Sequence, residues 1–573
     1  MTSFSIEQLR FDPTSVREMR ELGESFTNWP VVYTLNNATK VYVGETLNVS
    51  ARMRQHQGSE EKTDLKNLRV VVNETFNKSA CLDLESFLIR LFAGEGKYQV
   101  INRNEGVTDR DYYDREEYRK TFHEIFEELR TEGLFQRTIP QIENSDLFKF
   151  SPFKALNHDQ ATAVEDILAG LFTDIEKGKT GTIVVQGDPG TGKTIVAIYM
   201  MKLLRDIQES MPGEDFDSDS LFSDFFLEGH SELLQGLRIG LVVPQQSLRD
   251  SIRKVFRKTP LLSPSMVLSP FDLGSSAEHF DLLIVDESHR LNQRANQPSG
   301  PQNKKFREIN EALFGADDNA YTQLDWIRAK STHQILLVDS AQSVRPADLP
   351  EETLRELIET SKREASFYPL FSQMRVRGGN DYVAYIRAIF SSRPPKPARF
   401  GDYDLRFFDD VALMQQEILK RESEVQLSRL VAGYAWEWKS RSDKEAFDIE
   451  IDGLEFRWNQ TQKDWINTAG SIGEVGSIHT VQGYDLNYAG VIIGPDLRYD
   501  PVAQRIYIQR SSYFDKKGKE NNPKLGITYS DDDLLRYITN VYAVLLTRGI
   551  LGTYVYVCDG PLREYLRNYF SGN

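Results

Sequence analysis

The chain has 573 residues, of which 40% are hydrophobic and 27% charged, and its formal net charge is -16 at pH 7. At about 150 residues per domain this is enough for three or four domains, and no apolar run nears the ~18 residues of a membrane span, so a membrane protein is excluded from the expectation. The acidic balance argues against holding a polyanion over the whole surface but leaves room for a local groove. Cys81 and Cys558 stand far apart with no CxxC spacing, which excludes a disulfide framework and a zinc site of the usual kind. The N-terminus lacks a basic start and an apolar core, so no signal peptide is expected and a cytoplasmic location is.

Residues 1–28 give short helical patterns with little chemistry. Val31 to Leu35 and Lys40 to Gly44 are β-branched and aromatic runs separated by Asn36-Asn37-Ala38-Thr39, the pattern of a hairpin. Asn48 is a helix cap, with Arg52 and His56 one turn apart beyond it. A strand follows at Leu68 to Val72, and a helix begins near Ser79 with Cys81, Leu88, Ile89 and Phe92 on one stripe. Glu85 sits in that stripe, where an unpaired carboxylate is costly. Either an arginine neutralises it, or it faces a cleft and holds a metal.

This ordered set, Val31-Val32-Tyr33, Tyr42-Val43-Gly44, Arg52, His56, Glu85 and Asn102, resembles the GIY-YIG nuclease family over residues 29–105, with Val31-Val32 where the family more often has Gly-Ile. The resemblance implies phosphodiester cleavage with one divalent ion, Mg²⁺ or Mn²⁺, on Glu85. It gives Tyr33 and Tyr42 the attacking water, Arg52 the charge growing on phosphorus, and Asn102 the task of holding the site together. His56 would assist proton transfer or orient a tyrosine. A lone carboxylate suffices for Mg²⁺, which keeps several waters, and a positive group where charge develops supplies electrostatic stabilisation.

Tyr118, Phe122, Ile125, Phe126 and Leu129 predict a connecting helix, and Arg137 to Pro152 reads as a linker punctuated by Pro140 and Pro152, together spanning 106–150. Next, Gln160 in Asn157-His158-Asp159-Gln160 is placed to read an adenine edge. Gly187-Asp188-Pro189-Gly190-Thr191-Gly192-Lys193-Thr194 lies between a short apolar strand and a helix, which makes it a P-loop. Its glycines wrap a phosphate chain, Lys193 reaches the terminal phosphates and Thr194 ligates Mg²⁺. After strands at Ile239 to Pro244 and Phe280 to Val285 come Asp286 for the Mg²⁺ shell and Glu287 to activate the attacking water. A strand at Gln334 to Val338 leads to Gln342, a candidate γ-phosphate sensor. Strands alternating with helices predict a RecA-like parallel sheet over 151–350.

Arg249, Arg253, Lys254, Arg257 and Lys258 form a basic run that reads equally as a solvated helix face or as a nucleic-acid contact. In the last third, Arg375 follows Gln373-Met374, Gln482-Gly483-Tyr484-Asp485 precedes a strand, and Arg548 ends a helix running from Asp533. Trp436 and Trp438 either stack bases or are buried in a core.

The order of these motifs over 150–565, with Asp485 where related helicases carry Glu, resembles superfamily 1 helicases and most closely the ATPase domain shared with Schlafen proteins. That resemblance implies a second RecA-like domain over 351–573. It makes Gln482, Gly483 and Asp485 nucleotide contacts, and it brings Arg375 and Arg548 to the γ-phosphate on closure. The fold expected is α/β, a small N-terminal α/β domain followed by two RecA-like parallel-sheet domains. The function expected is an ATP-dependent motor on nucleic acid, DNA favoured over RNA, coupled to an N-terminal endonuclease in defence against foreign DNA or in repair. A second reading is an ATP-driven switch or sensor whose N-terminal module binds nucleic acid without cutting.

Overall fold

The computed structural model describes residues 4–102, 112–154, 156–210, 222–227, 229–294, 297, 299–339, 347–371, 376–391, 393–461, 465–468, 470–481, 486–515, 519, 521 and 528–570. The chain gathers into two compact units. One holds Met1–Glu176, Ile195–Gly236 and Ser251–Val267, and the other Lys177–Thr194, Leu237–Asp250 and Leu268–Asn573.

In the first unit, β1 (Phe4–Arg10), β2 (Val31–Asn36), β3 (Lys40–Thr46), β4 (Asn67–Asn73) and β5 (Gln99–Val100) form a sheet in the order β1-β4-β2-β3-β5. The β2–β3 hairpin turns because Asn37 Oδ1 accepts the N–H groups of Thr39 and Lys40 at 2.8 and 2.7 Å. Strand alternation then sorts the side chains. Val31, Tyr33 and Leu35 pack with Val49 and Met53 of the helix Val49–Gln57, whereas Val32, Val41 and Val43 pack with Cys81, Leu84, Leu88 and Phe92 of the helix Lys78–Glu95. Each such buried aliphatic or aromatic side chain contributes about 1.5–3 kcal/mol.

Two expectations are corrected here. The segment 1–28 is not only helical, because Phe4–Arg10 is a strand paired antiparallel to β4, with Ile6 opposite Val71. Phe4 and Ile6 stand at the spacing of two that sends both to one face of a sheet, and the edge of β4 offers unpaired backbone groups for this strand to satisfy. The stretch 137–152 is not an open linker but carries the helices Ile139–Glu143 and Asp146–Lys149. Pro140 falls in the first turn, where its missing N–H costs nothing. Ile142 and Phe148 press against Gly94 so closely that a Cβ there would lie 2.7 and 2.8 Å from them. The connecting helix itself is Arg115–Thr131, with Phe122, Ile125, Phe126 and Leu129 buried.

A six-stranded sheet, most of it in the second unit, comprises β6 (Gly181–Gly187), β7 (Ile239–Val242), β8 (Val267–Leu268), β9 (Phe280–Val285), β10 (Ser331–Val338) and β11 (Phe367–Leu370), ordered β11-β6-β10-β9-β7-β8. The pairs β11–β6, β6–β10, β10–β9 and β9–β7 are parallel. Parallel strands are covered on both faces, which is why Leu282 to Val285 and Ile335 to Val338 are unbroken apolar runs. This sheet reaches past the expected boundary at residue 350 to take β11, whose Leu370 stands opposite Gly187.

The second parallel sheet uses β12 (Asp404–Phe407), β13 (Ser428–Ala432), β14 (Ile449–Ile451), β15 (Leu454–Trp458), β16 (Glu474–Ser477) and β17 (Leu486–Ile493). A separate hairpin of β18 (Leu497–Asp500) and β19 (Arg505–Ile508) follows, and β20 (Gly549–Val557) completes the order β12-β20-β17-β13-β16-β15-β14. Only β14, paired antiparallel to β15, departs from the parallel pattern.

Candidate functional site

The first site forms at the C-terminal ends of β6, β9 and β10, where parallel sheets present their ligand groups. After β6 the chain turns through Gly190 and Gly192 at φ +89° and +80°, a region that favours glycine. The helix Lys193–Gln208 starts at the loop lysine. Lys193 Nζ donates to Gly187 O at 2.7 Å and Asp188 O at 3.0 Å, and lies 3.3 Å from Asp339 Oδ2 at the end of β10. Thr194 Oγ1 donates to Asp286 Oδ2 at 2.7 Å. The two oxygens expected to share Mg²⁺ are thus in contact. Burial, and after it the neighbouring Glu287, push the Asp286 carboxyl up to about 6. A divalent cation would supply the charge that this buried carboxylate lacks.

Glu287 takes the left-handed conformation, φ +51° and ψ +43°, a strained choice for a residue with a Cβ and one found at functional sites. The strain turns consecutive carboxylates apart. Asp286 goes to Thr194, while Glu287 Oε2 lies 3.1 Å from His289 Nε2. His289 is fully buried, and its Nδ1 accepts the Asp339 N–H at 3.2 Å. The imidazole proton therefore sits on Nε2, facing Glu287. Burial pushes the Glu287 carboxyl up, but the contact with His289 and the charges of Lys193 and Arg290 outweigh it and hold the group well below the usual range. A carboxylate so held stays ionised.

The second site lies in the first unit. Tyr33, Tyr42 and His56 meet on the sheet face covered by the helix Val49–Gln57, with ring centroids 6.2 Å apart for Tyr33–Tyr42 and 5.2 Å for Tyr42–His56. Tyr33 is fully buried and its Oη is 2.7 Å from His56 Nε2. Burial works to lower the Arg52 pKa, but the oxygens of Tyr33 and Tyr42 beside it outweigh that and raise it. Gly44 faces Tyr33 across the β2–β3 ladder, and a Cβ there would stand 2.3 Å from the Tyr33 Oη. Asn102 accepts the Val43 N–H at 3.1 Å and donates to Val43 O at 2.7 Å, pinning β3 between the two tyrosine positions.

Glu85 is half-buried on the helix whose apolar stripe covers the opposite sheet face. Its charge is nevertheless felt at Tyr33 and, with that of Glu45, at Cys81, whose thiol is pushed up first by burial and then by these two carboxylates. Among the described residues no group of three or more His, Cys, Asp or Glu side chains gathers to hold a metal ion.

Sequence reasoning missed three residues. Lys62 is the first: its Nζ lies 3.1 Å from His56 Nδ1 and 3.8 Å from the centre of the Tyr42 ring. Asp339 and Arg387 are the others. Arg387 Nη1 donates to Asp188 Oδ1 at 2.8 Å. No motif marks Lys62 or Arg387, whereas Asp339 opens the Asp-x-x-Gln run that ends in Gln342, where only the glutamine was given a role.

The remaining expected residues are distributed as follows. Gln160 caps its own helix, its Oε1 accepting the Asn157 N–H at 3.2 Å while its N–H returns to Asn157 Oδ1 at 2.8 Å. Arg548 is buried just beyond the helix Asp531–Leu546, and its carbonyl accepts the Leu486 N–H. Gln342, Arg375, Gln482, Gly483 and Asp485 lie outside the described residues. Much of the basic run is engaged at home, Arg249 with Val243 O, Arg253 with Val267 O, Lys258 with Gly96 O and Lys254 with Asp146. Trp436 and Trp438 are half-buried against the core of the second parallel sheet.

Comparison with known proteins falls on the same region. The family described as Schlafen group 3, DNA/RNA helicase domain, matches residues 180–559. An uncharacterized protein of Saccharomyces cerevisiae, YPL245W, is 26% identical over 445 residues, covering 72% of this chain and 90% of the yeast protein. A solved structure of the Pif1 helicase from Bacteroides in complex with ADP-AlF3 and ssDNA covers 72% of this chain and 94% of that one at 9% identity, with a TM-score of 0.25, a likeness too slight to bear on the fold.

Proposed function

Starting from a chain that belongs to the Schlafen group 3 DNA/RNA helicase domain family, we propose that it is an ATP-dependent nucleic-acid motor joined to an N-terminal phosphodiesterase of GIY-YIG type. The observation that carries the motor is the set of three strand ends. They bring Lys193, the Thr194–Asp286 pair and a Glu287 held ionised by His289 to one place. Lys193 binds the terminal phosphates, Thr194 and Asp286 hold Mg²⁺, and Glu287 takes the proton of the attacking water. Mg²⁺ held there would supply charge neutralisation at the phosphates. Arg375 and Arg548 are proposed to complete the site on closure, which couples hydrolysis to motion.

For the N-terminal module the supporting observation is the cluster of Tyr33, Tyr42, Arg52 and His56 on one sheet face. Arg52 would stabilise charge on phosphorus and Glu85 would hold the divalent ion. DNA is the preferred substrate, with a role in defence against foreign DNA or in repair. A second reading, a binding module under an ATP-driven switch, is favoured by the position of Glu85 on the helix that covers the far face of the sheet.

The test runs both activities on the full chain. ATP turnover is measured with single-stranded DNA, duplex DNA and RNA, and labelled DNA is incubated with Mg²⁺ and wild-type or Glu85→Ala protein. Turnover that rises with nucleic acid and is abolished in Lys193→Ala supports the motor. Identical products from wild type and Glu85→Ala would end the nuclease reading and leave the switch.

A further inference from the structure

The Asp339 carboxylate is 1% exposed and sits between two cations that come from different sheets. Its Oδ2 is 3.3 Å from Lys193 Nζ, the phosphate-binding group of the loop after β6, and its Oδ1 is 3.9 Å from Arg387 Nη2. Arg387 belongs to the helix Gly379–Ile389, which is mounted on the second parallel sheet. Ile386 and Ile389 are part of that sheet's core, and the helix is tied down by Tyr382 Oη donating to Leu546 O and Tyr385 Oη to Tyr569 O, each at 2.8 Å. The guanidinium then reaches the loop itself, where Nη1 donates to Asp188 Oδ1 at 2.8 Å.

An anion shared by Lys193 and a guanidinium is the arrangement a terminal phosphate requires. Arg is suited to it because its planar fork matches phosphate oxygens two at a time. A triphosphate seated on Lys193 would compete with Asp339 for the same ammonium, and the oxygens that replace the carboxylate would face Arg387 next. We propose that Arg387 is a nucleotide-contacting residue, a third arginine of the ATP site that binds the terminal phosphate in exchange for Asp339. The proposal rests on the ATPase reading above. It makes the helix Gly379–Ile389 report to the second sheet whether a third phosphate is present. A diphosphate lacks the group that would reach Arg387, so ADP leaves the guanidinium with Asp188 and Asp339.

The experiment compares binding of a non-hydrolysable ATP analogue and of ADP to the full chain, in wild type, Arg387→Ala and Arg387→Lys, with steady-state ATP turnover alongside. In Arg387→Ala the analogue's Kd should rise roughly tenfold, the size of one lost charge-assisted contact. The ADP Kd should move less than twofold, and kcat should fall. Arg387→Lys keeps the charge without the fork and should lie between the two; it also serves if the alanine variant does not fold. Equal changes for analogue and ADP, or no change in either, would overturn the role of Arg387 and reduce its contact with Asp188 to a surface ion pair. A wild-type chain that binds neither nucleotide would defeat the ATPase reading beneath it, a result distinguishable from the first.

Discussion

His56 gives the sharpest quantitative expectation. It is 3% exposed, and burial, then the charges of Lys62 and Arg52, push its pKa down from 6.5 to about 2. In the unfolded chain the same imidazole takes a proton below about 6.5. The folded state refuses that proton until pH falls to about 2, so stability is full above about pH 7 and is lost as the pH drops through the unfolded value. The slope approaches 1.36 kcal/mol per pH unit, which sums to about 2 kcal/mol between pH 7 and pH 5. Hydrogen exchange of the strand Val31–Asn36, which carries Tyr33, reads this locally in the full chain. After correction for the intrinsic rate, wild-type protection should fall roughly thirtyfold between pH 7 and pH 5. In His56→Gln most of that pH dependence should vanish, whatever the absolute stability of the variant. An equal pH dependence in both proteins would refute the reasoning, since another group would then be titrating.

Gly44→Ala puts a methyl group 2.3 Å from the Oη of a fully buried Tyr33, so it should cost about 1–3 kcal/mol of stability in the first unit. Loss of the Tyr33–His56 contact and of DNA cleavage should go with it, seen by exchange and by product formation. Glu287→Gln should keep nucleotide binding and lower ATP turnover by at least about a hundredfold, and a steady-state assay that finds turnover retained contradicts the assignment of the base. Asp496 is fully buried and accepts the Tyr542 Oη–H at 2.6 Å, and burial pushes it up from 3.8 to about 7. The folded chain therefore holds a proton that the unfolded chain gives up, and stability declines as pH rises from about 4 to about 7. Asp496→Asn keeps the acceptor without the titration, so thermal melts should find it more stable than wild type at pH 8 and the gap closed near pH 4.

What the sequence could reveal followed from how local the physics is. The P-loop was legible because its requirements are contiguous: Gly190 and Gly192 at positive φ, then a lysine and a threonine at a helix start. Asp286 and Glu287 were legible because the apolar run Leu282 to Val285 delivers them. Proline misled, since Pro140 opens a helix as readily as it breaks one, and only the packing of Ile142 and Phe148 on Gly94 decides which. The strand Phe4–Arg10 was hidden for a similar reason: its burial is slight and its pairing with β4 lies more than 50 residues away. Arg387 was silent because its partners belong to other elements, far along the chain.

The two candidate sites share one physical device that no motif records. Each holds a buried imidazole whose Nδ1 is taken by a donor, Lys62 Nζ for His56 and the Asp339 N–H for His289. A neutral imidazole has one proton, so both are driven to carry it on Nε2. In each case Nε2 faces the oxygen to which chemistry is assigned, the Tyr33 hydroxyl at 2.7 Å and the Glu287 carboxylate at 3.1 Å. The consequence differs with the oxygen. A proton turned toward a carboxylate stabilises its charged form and keeps Glu287 ready to accept a proton from water. One turned toward a phenol holds the Tyr33 hydroxyl in place against His56. Burial keeps that phenol protonated. Under the proposed nuclease reading Tyr42, half-buried beside Lys62 and Arg52, would be the better of the two tyrosines to receive the proton of an attacking water.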